Sequence, residues 1–213
     1  DTGAVTFLDT HERTLRAARN VTVEQSRSVT DVNGPFDSSY NSTHAIDLAR
    51  GQVLHTAYHF QGGVANQAGI RHTYRNETGA IFVRSADPGP LPINVNRTIE
   101  PLPVANESRL TYRGERTIDG VYGSVYVLDS FGALDADAYR YLHPENVTEF
   151  TVTYVVDERG YVAYQRVNRT VESGDDIVRT RERLRFENVG STTVSKPEWA
   201  NEPVGNWTAT ASK

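Results

Sequence analysis

Three histidines, His55, His59 and His72, have the side-chain type and the spacing that could hold a metal ion. His55 and His59 lie four residues apart in the sequence HTAYH, so on a β-strand both side chains point to one face. His72 falls on the next predicted strand, where it could lie level with His59, and three imidazoles on adjacent strands can bind zinc or copper. No nearby carboxylate is visible to orient the rings. A polar strand face is therefore the simpler interpretation, and metal binding is the alternative.

Four arginines recur at every second position near the C-terminus, and we call this group the arginine ladder: Arg179, Arg181, Arg183 and Arg185. They alternate with Val178, Leu184 and Phe186, so a strand would place all four guanidinium groups on one face. Like charges at this spacing need neighbouring anions, which the acids Glu149, Asp157 and Glu172, or a bound phosphate or glycan sulfate, could supply. A solvated, salt-bridged face is the simpler interpretation. Contact with an external anion or a lipid headgroup is the alternative.

Two acidic pairs could supply the oxygen ligands that calcium prefers: Asp135 with Asp137, and Asp175 with Asp176. Neither has the D-x-D-x-D-G loop, and the first pair fits better as first-turn residues of a helix. The sequence also lacks G-x-S-x-G, S-x-x-K, H-E-x-x-H and phosphate-binding glycine-loop motifs. We therefore expect a non-catalytic protein without a cofactor or a resident metal.

The strongest local signal is the number of N-glycosylation sequons. Eight of the 13 asparagines begin an Asn-X-Ser/Thr triplet, where chance would give roughly two. They are Asn20, Asn41, Asn76, Asn96, Asn106, Asn146, Asn168 and Asn206. This density predicts a secreted or cell-surface protein that carries covalent N-linked glycans, with Asn41, Asn76, Asn96 and Asn106 as the most exposed acceptors.

Composition narrows the class of protein further. The 213 residues are 38% hydrophobic and include no cysteine, which excludes a disulfide scaffold, a thiol nucleophile and an iron–sulfur cluster. The net charge of −5 argues against a nucleic-acid partner. Mean hydropathy is −0.52, and no apolar run approaches the ~18 residues of a transmembrane segment. The basic residues are 20 arginines and 2 lysines, a bias typical of salt-adapted or GC-rich sources.

The elements that must position these residues are mostly strands. An amphipathic helix is predicted over residues 3–19, after which the apolar period changes from 3.6 to 2. Predicted strands cover 20–30, 43–50, 52–60, 69–76, 79–85, 108–118, 121–129, 149–157, 160–172 and 177–189. Short turns such as Asp119-Gly120 separate most of them and indicate antiparallel hairpins.

Three further segments complete the predicted domain of residues 1–213. A Pro-rich loop is expected at 86–107, a short inserted helix at 133–143, and a C-terminal tail at 190–213 that packs Trp199 onto the body. The predicted fold class is α+β: one strongly curved antiparallel sheet of about nine to eleven strands, forming a half-barrel with the two helices against its concave face. The sheet itself would occupy residues 20–189.

The C-terminal third contains a D-x-x-G turn at Asp157 and Gly160, followed by Gly190-Ser191-Thr192-Thr193-Val194, Pro197 and Trp199. In these residues it resembles a family of uncharacterised surface lipoproteins of halophilic archaea. The N-terminal FLDTHERTLRAARN is similar to the opening segment of the same family. The resemblance implies a fold similar to the outer-membrane lipoprotein carrier and its mycobacterial lipoprotein relatives, with a curved sheet around an apolar cavity.

Two functions follow as expectations. The first is a non-enzymatic cell-surface protein that holds a lipid or another apolar molecule between the sheet and the helix 3–19, with a possible lipid anchor upstream of Asp1. The second is a structural subunit of an extracellular filament or surface coat, assembled through strand or sheet-edge contacts with copies of itself or other surface proteins.

Overall fold

A computed structural model describes residues 7–62, 67–85, 98–101, 109–134, 146–201 and 205–206. Helix α1 spans Phe7–Ala18, and a turn of 3-10 helix spans Phe131–Ala133. The strands are β1 Asn20–Asp31, β2 Asp37–Asp47, β3 Gln52–Gln61, β4 Gln67–Arg75, β5 Ala80–Ser85, β6 Thr111–Ile118, β7 Val121–Leu128, β8 Val147–Val156, β9 Val162–Ser173, β10 Asp176–Glu187 and β11 Gly205–Asn206.

All eleven described strands form one antiparallel sheet in the order β11-β5-β4-β3-β2-β1-β10-β9-β8-β7-β6. Two meanders, β1 to β5 and β6 to β10, meet where β1 pairs with β10. The sheet is open, with β6 and β11 as its edges. The predicted fold class, a curved antiparallel half-barrel with an N-terminal helix, is confirmed.

Strand β2 corrects the sequence prediction at both ends. The predicted strand 43–50 instead runs Asp37–Asp47, because the polar segment 37–42 pairs with both β1 and β3. The prediction also ran too far. Asp47 Oδ1 accepts the backbone N–H groups of Ala49 and Arg50, at 3.0 Å each, which closes a turn before residue 50.

Helix α1 is amphipathic, as predicted, and packs on one face of the sheet. Its buried residues His11 and Leu15 lie one turn apart. The helix ends at Ala18, and the next residue, Arg19, has a φ of +67° and donates its N–H to the carbonyl of Leu15. Residues 3–6 of the predicted helix lie outside the described residues.

The helix face of the sheet, the face that α1 covers, carries the main apolar core. Leu15 contacts a cluster in which Val21, Val23 and Ile46 are fully buried and Phe186 is nearly so. These residues come from strands that are neighbours in the sheet, and they alternate with polar residues on the other side. The helix face therefore holds most of the stabilising apolar burial.

We call the opposite side the open face. One apolar cluster there joins Tyr74, Phe82 and Ala200, with the half-buried Trp199 packed against it. The expectation that the tail packs Trp199 onto the body is therefore confirmed over residues 190–201. A second cluster contains Val125, Val155 and Tyr164. The centre of the open face, between these two clusters, is polar.

Several predicted segments fall outside the described residues. Of the Pro-rich loop 86–107 only residues 98–101 are described, and of the predicted helix 133–143 only residues 133 and 134. The tail is described over 190–201 and 205–206. The prediction of a single domain over 1–213 stays a prediction.

Candidate functional site

The arginine ladder lies on the open face of β10. Its apolar neighbours Leu184 and Phe186 point the other way and join the helix-face core. The alternation predicted for this strand therefore places all four guanidinium groups on one side of the sheet.

Hydroxyl and amide side chains flank most of the ladder on the two neighbouring strands. Arg179 lies between Thr30 and Thr170, Arg181 between Ser28 and Asn168, Arg183 between Ser26 and Arg166, and Arg185 between Glu24 and Tyr164. The ladder is thus surrounded mainly by neutral polar groups, with one further arginine and one glutamate.

The acids that the sequence suggested as partners of the ladder bind elsewhere. Glu149 accepts a hydrogen bond from the Thr170 hydroxyl at 2.8 Å, and Glu172 accepts one from the Thr148 hydroxyl at 3.2 Å. Asp157 pairs with Arg159 at 3.0 Å. Among the described residues none of these three acids forms an ion pair with the ladder, although Glu149 lies close enough to line a common pocket with Arg179 and Arg181.

Among the described residues, the acids that form ion pairs with the ladder are Glu187 and Asp119. Arg185 Nε lies 2.8 Å from Glu187, two residues further along the same strand. Arg183 Nε lies 3.7 Å from Asp119, which belongs to the β6–β7 turn. The spacing of Arg185 and Glu187 on one strand could have revealed the first contact. The contact with Asp119 is long-range and has no local signal.

Two open troughs follow each other along β10, and the ladder contributes to both. Trough 1, of about 480 Å³, is lined by Arg183 and Arg185 and also by Asp119, Tyr164 and Tyr58. It extends across β9, β10, β1, β2 and β3. Its lining is mostly polar, because hydroxyl and amide side chains from β1, β2 and β3 complete the walls.

Trough 2 has a volume of about 770 Å³ and lies at the other end of the ladder. Arg179 and Arg181 line it together with Asn168, Glu149 and Asp129. Arg181 Nε donates a hydrogen bond to Asn168 Oδ1 at 3.1 Å. The two troughs together expose the entire ladder to possible ligands.

Asp119 and Tyr164 form a polar contact at the edge of trough 1. The Tyr164 hydroxyl donates to Asp119 Oδ2, and Arg166 Nη1 lies 3.8 Å from the same oxygen. The hydrogen bond from Tyr164, with Arg183 and Arg166 nearby, lowers the pKa of Asp119. Burial and the bond to this carboxylate raise the pKa of Tyr164 to about 12. Both groups therefore keep one protonation state at neutral pH: Asp119 is ionised and Tyr164 is protonated and neutral.

The three histidines predicted as metal-ligand candidates do not meet. His72 pairs with Thr56, so it lies on the open face, whereas His55 lies on the helix face. His59 pairs with Gly69 rather than lying level with His72, and it is exposed. The described residues contain no group of three or more side chains able to hold a metal ion.

The structure instead joins His55 to His44, a residue that sequence reasoning missed. The two are direct cross-strand partners, and their rings stack with centroids 4.2 Å apart. A hydrogen bond of 3.1 Å joins His44 Nε2 to the Ser42 hydroxyl, while His44 Nδ1 is buried without a partner among the described residues. Recognising the pair required the β2–β3 register, which the misplaced strand 43–50 did not give.

Three buried histidines on the helix face are held neutral. Burial, partly offset by hydrogen bonds, lowers the pKa of His11 to about 4. Burial likewise lowers the pKa of His44 to about 3, with His55 adding to the effect, and that of His55 to about 4. His11 Nδ1 accepts the N–H of Val162 and Nε2 donates to the carbonyl of Ile99, which fixes one neutral tautomer.

The described sequons have different settings. Asn41 is exposed and lines trough 1, and Asn168 lines trough 2. Asn76 lies at the β4–β5 turn and is half-buried, not among the most exposed acceptors as predicted, because its Oδ1 is turned inward to accept N–H groups from Thr78 and Ala80. Asn20 Oδ1 accepts the N–H of Thr192.

The remaining sequons are only partly placed. Asn146 directly precedes β8 and is half-buried. Asn206 belongs to β11 by its backbone alone, and Asn96 and Asn106 lie outside the described residues. Glycan attachment at the eight sequons stays a prediction.

The candidate calcium ligands gain no support. Asp135 and Asp137 lie outside the described residues. Asp175 and Asp176 are exposed at the β9–β10 turn, where the carbonyl of Asp175 accepts a hydrogen bond from the Asn33 side chain at 2.7 Å.

The space between α1 and the sheet, where the sequence suggested an apolar ligand, is filled by side chains. Leu15, Val21 and Ile46 are fully buried in this interface, and Tyr161 and Phe186 are nearly so. An apolar ligand at this place would have to displace the core cluster itself.

Residues 102–203 match a family described as a family of unknown function (DUF7537). The match covers β6 to β10, and so includes Asp119, Tyr164 and the arginine ladder. A search of curated proteins gives no match. No helix among the residues placed by the structure has the length and apolar character needed to cross a membrane.

Several solved structures are similar at low identity. One is MucB, at 14% identity and a TM-score of 0.35, covering 90% of this chain and 62% of MucB. A DUF1329 family protein from Desulfovibrio piger has 11% identity and a TM-score of 0.23, covering 85% and 92% of the two chains. A putative outer membrane lipoprotein-sorting protein domain from Vibrio parahaemolyticus has 9% identity and a TM-score of 0.22, covering 84% and 92%. At these values the likenesses carry no information on function.

Proposed function

We propose that the protein is a non-catalytic, N-glycosylated cell-surface domain that binds an extended acidic polysaccharide on its open face. The observation that carries the proposal is that all four arginines of the ladder line two consecutive troughs on the same face. This makes the ligand contact, left as an alternative by the sequence, the function that the geometry supports best.

The spacing of the ladder suits a linear ligand with repeated acidic groups. Alternate residues of a strand lie about 6.6 Å apart, so the four guanidinium groups span about 20 Å. Arginine can bind a carboxylate or sulfate through two parallel hydrogen bonds, which gives geometric specificity as well as attraction. One short anion would engage only part of this row.

The groups around the ladder suit a saccharide better than a bare polyanion. Ser26, Ser28 and Thr30 offer hydroxyl groups beside the arginines, and Asn41 lines trough 1. Tyr58, which is 40% exposed, adds an aromatic ring to the same trough. Hydroxyl and amide groups pair with sugar hydroxyls, while an exposed tyrosine ring can contact the apolar face of a sugar.

The proposed location rests on the eight sequons, whose density is typical of secreted chains. A protein at the cell surface is also exposed to acidic polysaccharides, which are the ligands that we propose. A lipid anchor upstream of Asp1 and kinship with surface lipoproteins of halophilic archaea remain proposals of the same kind.

The two functions expected from the sequence have weaker support. A lipid beneath α1 would compete with the buried cluster around Leu15 and Phe186. Assembly through strand addition would use an edge such as β6, which carries Arg113, Glu115 and Arg116 and a bulge between Tyr112 and Glu115. Charges and bulges at an edge both oppose pairing with another strand.

The test is binding of a ten-residue oligomer of galacturonic acid, measured by titration calorimetry at low and high salt. The double variant Arg181→Gln/Arg183→Gln should weaken binding at least about tenfold, because each lost charge-assisted hydrogen bond is worth about that factor. Arg13→Gln/Arg50→Gln is the matched control, since it also removes two charges, and both arginines are exposed and lie away from the ladder, on α1 and in the β2–β3 turn.

A neutral oligosaccharide of the same length should bind far more weakly than the acidic one. Equal binding by the double variant and the control, or equal binding of neutral and acidic oligomers, would contradict the proposal. Tighter binding of a single-stranded oligonucleotide would also contradict it, since it would reassign the ladder to phosphates.

A further inference from the structure

The tip of the β6–β7 hairpin places a carboxylate at trough 1. Its two-residue turn consists of Asp119 and Gly120, whose φ angles are both positive, at 48° and 83°, as in a type I′ turn. Asp119 Oδ2 accepts a hydrogen bond from the Tyr164 hydroxyl and lies 3.7 Å from Arg183 Nε and 3.8 Å from Arg166 Nη1. One carboxylate of the chain itself is therefore held by a phenol and two guanidinium groups.

The Asp119 carboxylate does not satisfy all the hydrogen-bond donors around it. The two guanidinium contacts, at 3.7 and 3.8 Å, are longer than the 2.7–3.2 Å of a hydrogen bond. Arg166 Nε is buried and has no hydrogen-bond partner among the residues that the structure describes. More positive charge and more donors are present than Asp119 uses, which is the arrangement of a site built for a second or a better-placed acid.

We infer that Tyr164, Arg166 and Arg183 form a carboxylate subsite, and that Asp119 is its resident occupant, which a carboxylate of the ligand replaces. The inference rests on the proposed function and narrows its ligand to a polysaccharide whose acidic groups are carboxylates. Replacement exchanges one carboxylate for another, so the charge of the subsite is preserved. A carboxylate on a ligand is not tied to the hairpin, so it can approach the guanidinium groups of Arg166 and Arg183 more closely than Asp119 does.

The resident carboxylate lowers the apparent affinity for the ligand, because the subsite is competent only while Asp119 is displaced. Removing its charge without changing its shape should therefore tighten binding. Asp119→Asn is suited to this purpose, since Asn-Gly is as favourable as Asp-Gly in a type I′ turn and the hairpin should fold unchanged.

The experiment compares Asp119→Asn with Asp175→Asn. Asp175 is an exposed acid at the β9–β10 turn, so both variants change the net charge equally. Each is titrated with a six-residue oligomer of galacturonic acid. Asp119→Asn should bind about tenfold more tightly than Asp175→Asn, since it alone removes a like charge from the subsite.

Equal affinities of the two variants, or weaker binding by Asp119→Asn, would overturn the inference. The proposed function would still stand if the wild type binds and loses binding with Arg181→Gln/Arg183→Gln. If no form binds the oligomer, both the proposed function and the inference are overturned. Tighter binding of hexaglutamate than of the saccharide would overturn the assignment to a polysaccharide.

Discussion

The two faces of this single sheet serve opposite purposes. The helix face buries apolar side chains such as Val21 and Phe186 and holds His11, His44 and His55 neutral. The open face exposes a row of arginines in two polar troughs. Because side chains alternate, Phe186 and Arg185 are chain neighbours yet belong to these different environments. If the proposed function is right, this strand carries stability on one face and recognition on the other.

The largest effect that sharpens this contrast is the pH dependence of stability. His11, His44 and His55 have folded-state pKa values lowered to about 4, 3 and 4. A lowered histidine pKa means that the unfolded chain binds more protons, so the stability is fully present above about pH 6.5. It falls as the pH drops towards 4, by about 1.4 kcal/mol per pH unit for each histidine. Urea unfolding between pH 7 and 4.5 measures this slope.

A matched control for the pH effect is His59→Gln, because His59 lies on the same strand as His55 but is exposed. The variant should keep the wild-type slope. A free energy of unfolding that stays constant between pH 6.5 and 4.5 would contradict the account of the helix face.

The next largest effect concerns apolar packing on the helix face. Leu15→Ala should lower the free energy of unfolding by about 2–5 kcal/mol, since Leu15 is fully buried between α1 and the sheet. The control is Ile70→Ala, because Ile70 is 55% exposed. It should cost less than about 1 kcal/mol. Similar losses in the two variants, measured by chemical denaturation, would mean that the faces do not differ in packing as described.

A smaller effect on the free energy of unfolding is expected from a substitution on the open face. Tyr164→Phe removes the hydroxyl that donates to Asp119 and should cost about 1–2 kcal/mol, because the bond involves a charged acceptor. This bond is the largest cause of the lowered pKa of Asp119, so that pKa should rise in the variant. Carboxyl titration by NMR measures the shift, with Tyr58→Phe as control. An unchanged Asp119 titration would show that the contact is absent in solution.

The last prediction concerns which sequons carry glycans, and it involves no change in the free energy of unfolding. A glycan on Asn41 would fill trough 1 and one on Asn168 would fill trough 2. We expect the form that binds ligand to carry glycan at Asn76, at the β4–β5 turn, and to leave Asn41 and Asn168 free. Glycopeptide mass spectrometry of ligand-captured protein measures occupancy at each site. Full occupancy of Asn41 in the captured fraction would contradict a ligand in trough 1.

Local patterns predicted much of this fold, and long-range pairing explains most of what they missed. The alternation around Leu184 and Phe186 predicted β10 and the common face of its arginines. The first half of β2 contains no apolar residue except Tyr40, so it gave no strand signal, and the His44–His55 pair was missed with it. No spacing in the sequence brings Asp119 to Arg183, because the hairpin tip reaches the ladder only once the sheet is formed.

The face that we propose for ligand binding could not be predicted from the sequence for a similar reason. Placing an apolar ligand under the helix required that space to remain between α1 and the sheet. Tyr161 and Phe186 fill that space, which became evident only from their burial.

The most direct test of the central claim is an NMR titration of the protein with the ten-residue galacturonic acid oligomer, observed at side-chain signals. The account predicts shifts in the Nε–H signals of Arg181 and Arg183, while the methyl signals of Leu15 and Val21 stay unchanged. Shifts confined to the Leu15 and Val21 methyl groups, with the arginine signals unmoved, would contradict it and would place the binding site beneath the helix.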